Sequence, residues 1–240
     1  MLAGKVLNWL IWCMNSYIES IESLPLSLWD GLQINIAQAV LIFFFLAGIS
    51  YWLLEKTKSG LKLGLISLVC FFAIRSYSFW QAGNQQKIIV YNVPQHRAID
   101  FIQGRHFIFT GDADLSGNDF TRNFHLKPSH ILQRVEEADR MDDLIIDQNI
   151  VSFGAKNILL VDTIISYTDS ESKYPLDLVV ISKNPKLYIS QLNNSFAIRQ
   201  IVFDGSVPAW KLKYWKKDCD SLRIPYHDVK EKGAFVMDIK

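Results

Sequence analysis

Cysteine is scarce in this 240-residue chain, and neither sign of charge is in excess. Cys13 and Cys70 lie in an apolar N-terminal part, and Cys219 is alone in the remainder. One cysteine cannot form a disulfide within that C-terminal part, which fits a domain held by an ordinary apolar core. The formal net charge is +1, so the composition argues against a generally basic nucleic-acid binder.

Charge is also missing from two long apolar runs near the N-terminus. Ile34–Leu54 has no acidic or basic side chain, and Leu61–Trp80 carries only Lys62 and Arg75 of these types, near its ends. A helix needs ~20 mainly apolar residues to cross a bilayer, and both runs reach that length. A pair of buried core helices is the alternative, but runs this long and apolar are unusual in soluble cores. We therefore predict two transmembrane helices within residues 31–86.

The short loop between the two runs sets the expected orientation. The loop, near residues 55–60, is rich in lysine, and lysines in short loops stay in the cytoplasm. Everything from Lys87 onward is then expected outside the cytoplasm. The prediction is a multi-pass inner-membrane protein whose C-terminal domain, residues 87–240, is periplasmic. Arg75 opposes this orientation mildly, although an arginine near a helix end can extend towards the headgroups.

Residues 1–30 have a different pattern. Apolar side chains recur at helical spacing on one face, with polar side chains opposite and tryptophans at 9, 12 and 29. This pattern predicts an amphipathic helix that lies in the membrane interface. A signal peptide is the alternative, but a small-residue cleavage site is missing and acidic residues follow directly.

The C-terminal part reads as short strands followed by alternating strands and helices. The segments "KIIVYNV", "AIDFI" and "HFIFTGD" predict a meander, and "SHILQRVEEADRM" (residues 129–141) predicts a helix. After a strand at Leu178–Ile181, we expect a helix opened by Pro185, a strand ending at Phe203, a helix over Trp210–Leu222 and two closing strands. The rhythm indicates right-handed crossovers, a partly parallel sheet and a mixed α/β domain.

The order of these elements resembles the C-terminal portion of the ComEC-family competence proteins, which are inner-membrane channels for transforming DNA. Three segments carry the resemblance: "YNVPQHRAIDF" stands where the family has "LDVGQGDAILI", "FTGD" where it has "VDTG", and "LDLVVISK" where it has "IDLLVLTH". The resemblance implies membrane helices followed by an exported domain of the metallo-β-lactamase-like mixed sandwich fold.

One segment departs from the family pattern. Active members of that fold carry an H-x-H-x-D-H metal cluster after this strand, whereas this chain has Ser182-Lys183-Asn184-Pro185-Lys186-Leu187. These side chains cannot replace the ligands, and two ammonium groups repel a cation. The five histidines do not provide an H-x-H pair elsewhere. We therefore expect a degenerate domain that has lost its metal site, with no cofactor and no catalytic residues.

Lysines occupy the place of the lost ligands, and more lysines alternate with aromatics in "PAWKLKYWKKDC". Such combinations bind the phosphates and bases of single-stranded DNA. The candidate nucleic-acid contacts are Lys183, Lys186, Lys211 and Lys213. Simpler interpretations are a solvated turn for the first pair and, for the second, an ordinary helix whose Leu212, Trp215, Cys219 and Leu222 face the core.

The predicted function is that of a non-catalytic C-terminal part of a DNA-uptake channel, which scaffolds the channel or guides DNA. The expected partners are the lipid bilayer, the remaining helices of a ComEC-like channel and single-stranded DNA. Two alternatives stay open. One is a metal-dependent nuclease or phosphodiesterase with unusual ligands, and the other is a membrane-anchored interaction module unrelated to DNA.

Overall fold

The computed structural model describes residues 2–24, 31–115, 120–164 and 173–239. Three helices come first: α1 (Leu2–Glu22), α2 (Ile36–Glu55) and α3 (Lys58–Gly83). Helix α1 lies within the predicted interfacial segment, whose residues 25–30 fall outside the described part of the chain. The interfacial position of α1 stays a prediction.

Helices α2 and α3 form a hairpin and are both long and apolar enough to cross a membrane. Asn35 and Gln38 form a reciprocal capping box that begins α2, and Lys56 ends it in a left-handed conformation. The two helices approach most closely at glycines: a Cβ on Gly48 would lie 2.8 Å from the Gly64 backbone nitrogen and 2.9 Å from the Gly60 carbonyl oxygen. Close backbone contact through small residues is typical of packed membrane helices.

The remaining chain forms short strands and helices, with bounds as follows. The strands are β1 (Gln86–Val90), β2 (Ala98–Gln103), β3 (His106–Gly111), β4 (Glu136–Glu137), β5 (Leu144–Asp147), β6 (Ile150–Phe153), β7 (Lys156–Val161), β8 (Tyr174–Leu176), β9 (Leu178–Ile181), β10 (Phe196–Ile198), β11 (Ile201–Phe203), β12 (Tyr226–Asp228) and β13 (Phe235–Asp238). The helices are α4 (Phe120–His125), α5 (Lys127–Gln133), α6 (Ile189–Ser195), α7 (Ala209–Leu222) and α8 (Val229–Lys232).

Two sheets dominate the domain. The first has the order β13-β1-β2-β3-β4, and its β1, β2, β3 and β13 pair antiparallel. The second has the order β12-β11-β9-β7-β6-β5, in which β7, β9, β11 and β12 run parallel. Strands β8 and β10 form a small parallel pair. The predicted meander and the later crossovers are both confirmed.

The sheets stack face to face, because side chains of each strand alternate between two buried faces. Ile88 and Val90 of β1 meet Leu178 and Val180 of β9 in the core between the sheets. The outer face of the second sheet is covered by α6 and α7, while that of the first packs on a cluster that includes Leu126 and Val135. Burying each such side chain contributes about 1.5–3 kcal/mol. The architecture is a layered mixed α/β domain, and the predicted buried stripe of α7 is confirmed at Leu212, Trp215 and Cys219.

Two predicted helices are wrong in part. The helix predicted over residues 129–141 ends at Gln133, since Arg134 turns left-handed at φ 57° and Glu136 and Glu137 then pair with β3. The helix after β9 begins at Ile189 rather than Pro185. Residues 185–188 instead alternate between buried and exposed positions, which is the pattern of extended chain.

Candidate functional site

The carboxyl ends of the parallel strands β7, β9, β11 and β12 meet at one edge of the domain. Asp162 follows β7, Ser182 and Lys183 follow β9, Asp204 follows β11, and Asp228 ends β12. In open α/β sheets, the crevice beyond such ends is where ligands bind. This edge, which we call the strand-end crevice, is therefore the first place to look for chemistry.

Lys183 is held tightly in the crevice. Its backbone is left-handed at φ 60°, and its amide donates to Ser206 Oγ at 2.6 Å. Its ammonium group lies 2.8 Å from Asp112 Oδ1, just after β3 of the other sheet. Lys183 therefore joins the two sheets.

Arg97 makes a second link between the sheets. Its guanidinium donates to Asp162 Oδ2 at 2.9 Å, and its backbone amide donates to Asp112 Oδ2 at 2.9 Å. Burial alone would raise the pKa of the Asp112 carboxyl, but the hydrogen bonds and charges of Lys183 and Arg97 lower that pKa below its ordinary value. Asp112 is thus an ionised partner of two cationic residues.

Asp204 is fully buried behind Lys183. Its Oδ1 accepts from the Ser206 amide at 2.9 Å and from Ser206 Oγ at 2.5 Å. Burial raises the pKa of the Asp204 carboxyl, against the opposing effect of the nearby serine hydroxyl groups and Arg97. The neighbouring Gly205 packs directly against the backbone of Val93, which leaves no room for a side chain there.

Three carboxylates at the strand ends are already paired with cationic side chains. Asp112 and Asp162 pair with Lys183 and Arg97, and Asp228 pairs with Lys216 at 2.7 Å. Within the described ranges, no group of three or more His, Cys, Asp or Glu side chains is placed to hold a metal. A metal site needs three or four converging ligands that are free to bind.

The histidines that sequence reasoning considered lie apart. His130 Nε2 lies 2.7 Å from the buried Asp100, and His227 Nε2 contacts the Gly233 carbonyl. His106 begins β3 and His125 ends α4. Only His96 is near the crevice, with its Nδ1 3.7 Å from Asp112. The structure does not bring any two of them together as a ligand pair.

A groove of about 510 Å³ lies beside the crevice, between the chain after β9 and helix α7. Its rim exposes the aromatic rings of Tyr188, Trp210 and Tyr214, each more than half accessible to solvent. Lys186 and Lys211 also line it. We call this feature the aromatic groove.

Lys211 is partly engaged by the groove itself. Its ammonium group donates to Asn184 Oδ1 at 2.7 Å and to the Pro185 carbonyl, and lies 4.9 Å from the centre of the Trp215 ring. Burial lowers the pKa of the Lys211 ammonium. Lys186 and Lys213 are exposed, and Lys213 lies outside the groove lining.

The predicted lysine contacts therefore divide by position. Lys186 and Lys211 share the aromatic groove, Lys183 pairs with Asp112 in the crevice, and Lys213 lies on the exposed surface of α7. Contact of these residues with nucleic acid stays a prediction. Sequence reasoning missed Tyr188, although the in-and-out alternation from Pro185 to Ile189 was a readable signal. It also missed Arg97, whose acidic partner lies 65 residues away.

The architecture is that of a protein in which a hairpin of two membrane-length helices precedes a layered α/β domain. Residues 88–239 match the family model of the ComEC C-terminal domain, and the chain belongs to this family. The match indicates a role in DNA uptake during competence, and ComEC-family proteins are membrane proteins. No curated protein and no solved structure matches the chain.

Proposed function

We propose that the chain is a non-catalytic C-terminal part of an inner-membrane DNA-uptake channel, which scaffolds the channel and guides single-stranded DNA. Its domain is a metallo-β-lactamase-like sandwich whose metal site has been lost, and it lies outside the cytoplasm. It works beside the remaining helices of the channel.

The observation that carries the proposal is the filled strand-end crevice. A catalytic metal needs free carboxylates and imidazoles, and it activates water by its own positive charge. Here a guanidinium and an ammonium group neutralise Asp162 and Asp112. These ion pairs support a structural role for the crevice, because they join the two sheets where a hydrolase of this fold would hold its ions.

The aromatic groove supports the guiding role. Exposed rings stack on bases without regard to sequence, and lysines neutralise the phosphates between them. Tyr188, Trp210 and Tyr214 supply the rings, and the exposed Lys186 supplies a positive charge at the rim. A strand bound here passes beside the crevice and is not cut.

The first test concerns catalysis. The full chain, purified in detergent, is assayed for bound zinc and manganese and for hydrolysis of single-stranded and duplex DNA. We expect substoichiometric metal and no cleavage. Stoichiometric metal together with cleavage would establish the nuclease alternative instead.

The second test concerns DNA binding. Affinity for a fluorescent single-stranded oligonucleotide is measured across a salt series, for which the logarithmic slope is about −0.7 per neutralised phosphate. Trp210→Ala with Tyr214→Ala should weaken binding by at least about tenfold, since each stacked base contributes about 1–3 kcal/mol. Lys186→Gln should weaken binding and flatten the slope.

The matched controls are Tyr174→Ala and Lys217→Gln, which remove an exposed ring and an exposed charge outside the groove lining. Both should bind as the unmodified chain does. No binding by the unmodified chain, or equal losses in groove and control variants, would favour an interaction module unrelated to DNA.

A further inference from the structure

Three arginines surround one aromatic ring where the helical hairpin meets the domain. The guanidinium carbons of Arg134, Arg75 and Arg105 lie 4.2, 5.2 and 5.5 Å from the centre of the Phe79 ring. Arg75 and Phe79 belong to α3, Arg105 lies in the turn between β2 and β3, and Arg134 ends α5. We call this group the arginine cluster.

The cluster lines a cavity of about 390 Å³ that holds little negative charge. Glu136 is the one acidic residue in its lining within the described residues, and it is 78% exposed and 3.8 Å from Arg105. Lys127 and His130 line the same cavity. His130 faces the buried carboxylate of Asp100 at 2.7 Å, so that carboxylate is already engaged.

Arg134 and Arg75 use neutral groups of Gln33 as partners. Arg134 Nε donates to Gln33 Oε1 at 2.6 Å, and an Arg75 nitrogen donates to the Gln33 carbonyl at 3.4 Å. Arg134 Nη1 is buried without a hydrogen-bond partner in the described part of the chain. Burial, followed by the charges of Arg75 and Arg105, lowers the pKa of Arg134. Like charges grouped around one ring repel each other, and an anion bound in the adjoining cavity offsets this repulsion.

The location specifies the anion. Helix α3 has 26 residues and a length of about 39 Å at 1.5 Å per residue, which exceeds the ~30 Å hydrocarbon core. Phe79 is in its last two turns, so the cavity reaches headgroup level when the hairpin spans the bilayer. Guanidinium groups bind phosphate through paired hydrogen bonds, more selectively than ammonium groups do.

We propose that the arginine cluster binds the phosphate of an anionic phospholipid headgroup and so ties the domain to the outer surface of the membrane. The proposal rests on the membrane position of the hairpin and is independent of the aromatic groove. The lipid's phosphate accepts hydrogen bonds from the guanidinium groups that line the cavity, while its acyl chains follow the apolar surface of α3.

The test measures thermal unfolding of the full chain in neutral detergent micelles. Phosphatidylglycerol is added to one sample and phosphatidylcholine with the same acyl chains to another. Because a ligand that binds the folded state stabilises it, phosphatidylglycerol should raise the unfolding midpoint by several degrees more than phosphatidylcholine does. Arg134→Gln and Arg105→Gln should each lose most of this difference.

Arg140→Gln is the matched control, because Arg140 is an exposed arginine of the same domain outside this cavity. It should keep the full response. The readout is the lipid-induced shift within each variant, so a change in basal stability does not obscure it. Equal shifts for the two lipids, or a full response in both cluster variants, would overturn the proposal.

Two further arms identify the source of the phosphate. Inorganic phosphate at matched ionic strength, and a short single-stranded oligonucleotide, are added without lipid. Neither should reproduce the shift caused by phosphatidylglycerol. If either one does so, and Arg134→Gln abolishes it, the cluster is a site for that anion and the lipid proposal fails.

Discussion

Arg97 and Lys183 both join the two sheets through ion pairs, but the two pairs differ in burial. The Arg97–Asp162 pair is 17% and 22% exposed, whereas Lys183 is 47% exposed against 17% for Asp112. Water screens an exposed pair and leaves its net contribution small. Removing one partner of a more buried pair is costlier, because the remaining charge loses its compensation.

Arg97→Met should therefore destabilise the domain more than Lys183→Met does. We expect a loss of about 2 kcal/mol for the first and about 1 kcal/mol or less for the second. The measurement is denaturant unfolding of the full chain, followed by the β-sheet circular dichroism signal in detergent. Lys217→Met is the control for loss of an exposed charge, and it should be neutral. Equal losses for the Arg97 and Lys183 variants would contradict the assigned roles.

The two carboxyls of the crevice predict opposite responses to pH. The lowered pKa of Asp112 contributes stability that is present above its unfolded value of about 4 and is lost as pH falls through the folded pKa. Asp204 has a raised pKa, so the folded state binds its proton more tightly than the unfolded state does. Its effect is a loss of stability as pH rises from about 4 towards the folded pKa.

Asp204→Asn should remove the second effect. An asparagine oxygen can still accept from the Ser206 amide and hydroxyl group, which the carboxylate does at 2.9 and 2.5 Å. The variant should therefore gain stability relative to the unmodified chain as pH is raised from 4. Denaturation midpoints of both proteins at pH 4, 5, 6 and 7 measure this difference. Parallel pH profiles would contradict the prediction, because they would mean that the pKa of the Asp204 carboxyl does not differ between the folded and unfolded states in that range.

Among the helices and strands, those whose apolar residues follow a clear pattern within the element were predictable from sequence. Strand β9 is a continuous apolar run, and α7 places Leu212, Trp215 and Cys219 at helical spacing, so pattern alone indicates both. The start of α6 was not predictable in this way. The segment before α6 is extended, and its Leu187 carbonyl accepts a hydrogen bond from Trp215, which lies 28 positions further along the chain. Strand β4 likewise exists because Glu136 pairs with His106.

The same distinction applies to the candidate site. The segment 182–187 could be recognised as lacking metal ligands by comparing residue types at known spacing. The ion pairs in the crevice could not be predicted from sequence, because they join residues that are 65 or more positions apart. Long-range charge pairing depends on how the two sheets stack, and residue patterns within one element do not encode it.

The hairpin yields a prediction of its own. Gly48 faces the backbone of α3 so closely that any side chain there must push the two helices apart. Gly48→Leu should destabilise the hairpin by about 1–3 kcal/mol, the usual cost of overpacking. Thermal unfolding of the full chain in detergent, followed by the helical circular dichroism signal, measures the change. Ala47→Leu adds the same side chain at an adjacent exposed position and should be neutral; an equal effect of both would contradict the close packing.

At the scale of the whole molecule, the helical hairpin and the domain are joined without a linker. Strand β1 begins at Gln86, three residues after α3 ends. The Gly104 amide donates to the Gln85 carbonyl at 2.7 Å. The side-chain nitrogen of Gln85 donates to the Gly104 carbonyl at 2.9 Å and to the Gln133 carbonyl at 2.8 Å. In the proposed membrane arrangement, the orientation of the hairpin therefore decides on which side of the membrane the strand-end crevice and the aromatic groove lie.

The predicted orientation can be measured with an impermeant maleimide on intact spheroplasts. Cys13 and Cys70 are replaced by serine, while the buried Cys219 stays. Burial, followed by the charges of Asp218 and Asp220, raises the pKa of the Cys219 thiol to about 12, so almost no reactive thiolate is present. Arg140→Cys in the domain should be labelled from outside, whereas Lys58→Cys at the helix junction should be labelled only after the membrane is permeabilised. The parent chain without either new cysteine is the control and should stay unlabelled in both conditions. If intact spheroplasts label the Lys58→Cys variant and not the Arg140→Cys variant, the domain lies in the cytoplasm. Incoming DNA has already crossed the membrane there, so the proposed guiding role at the channel entrance would fail.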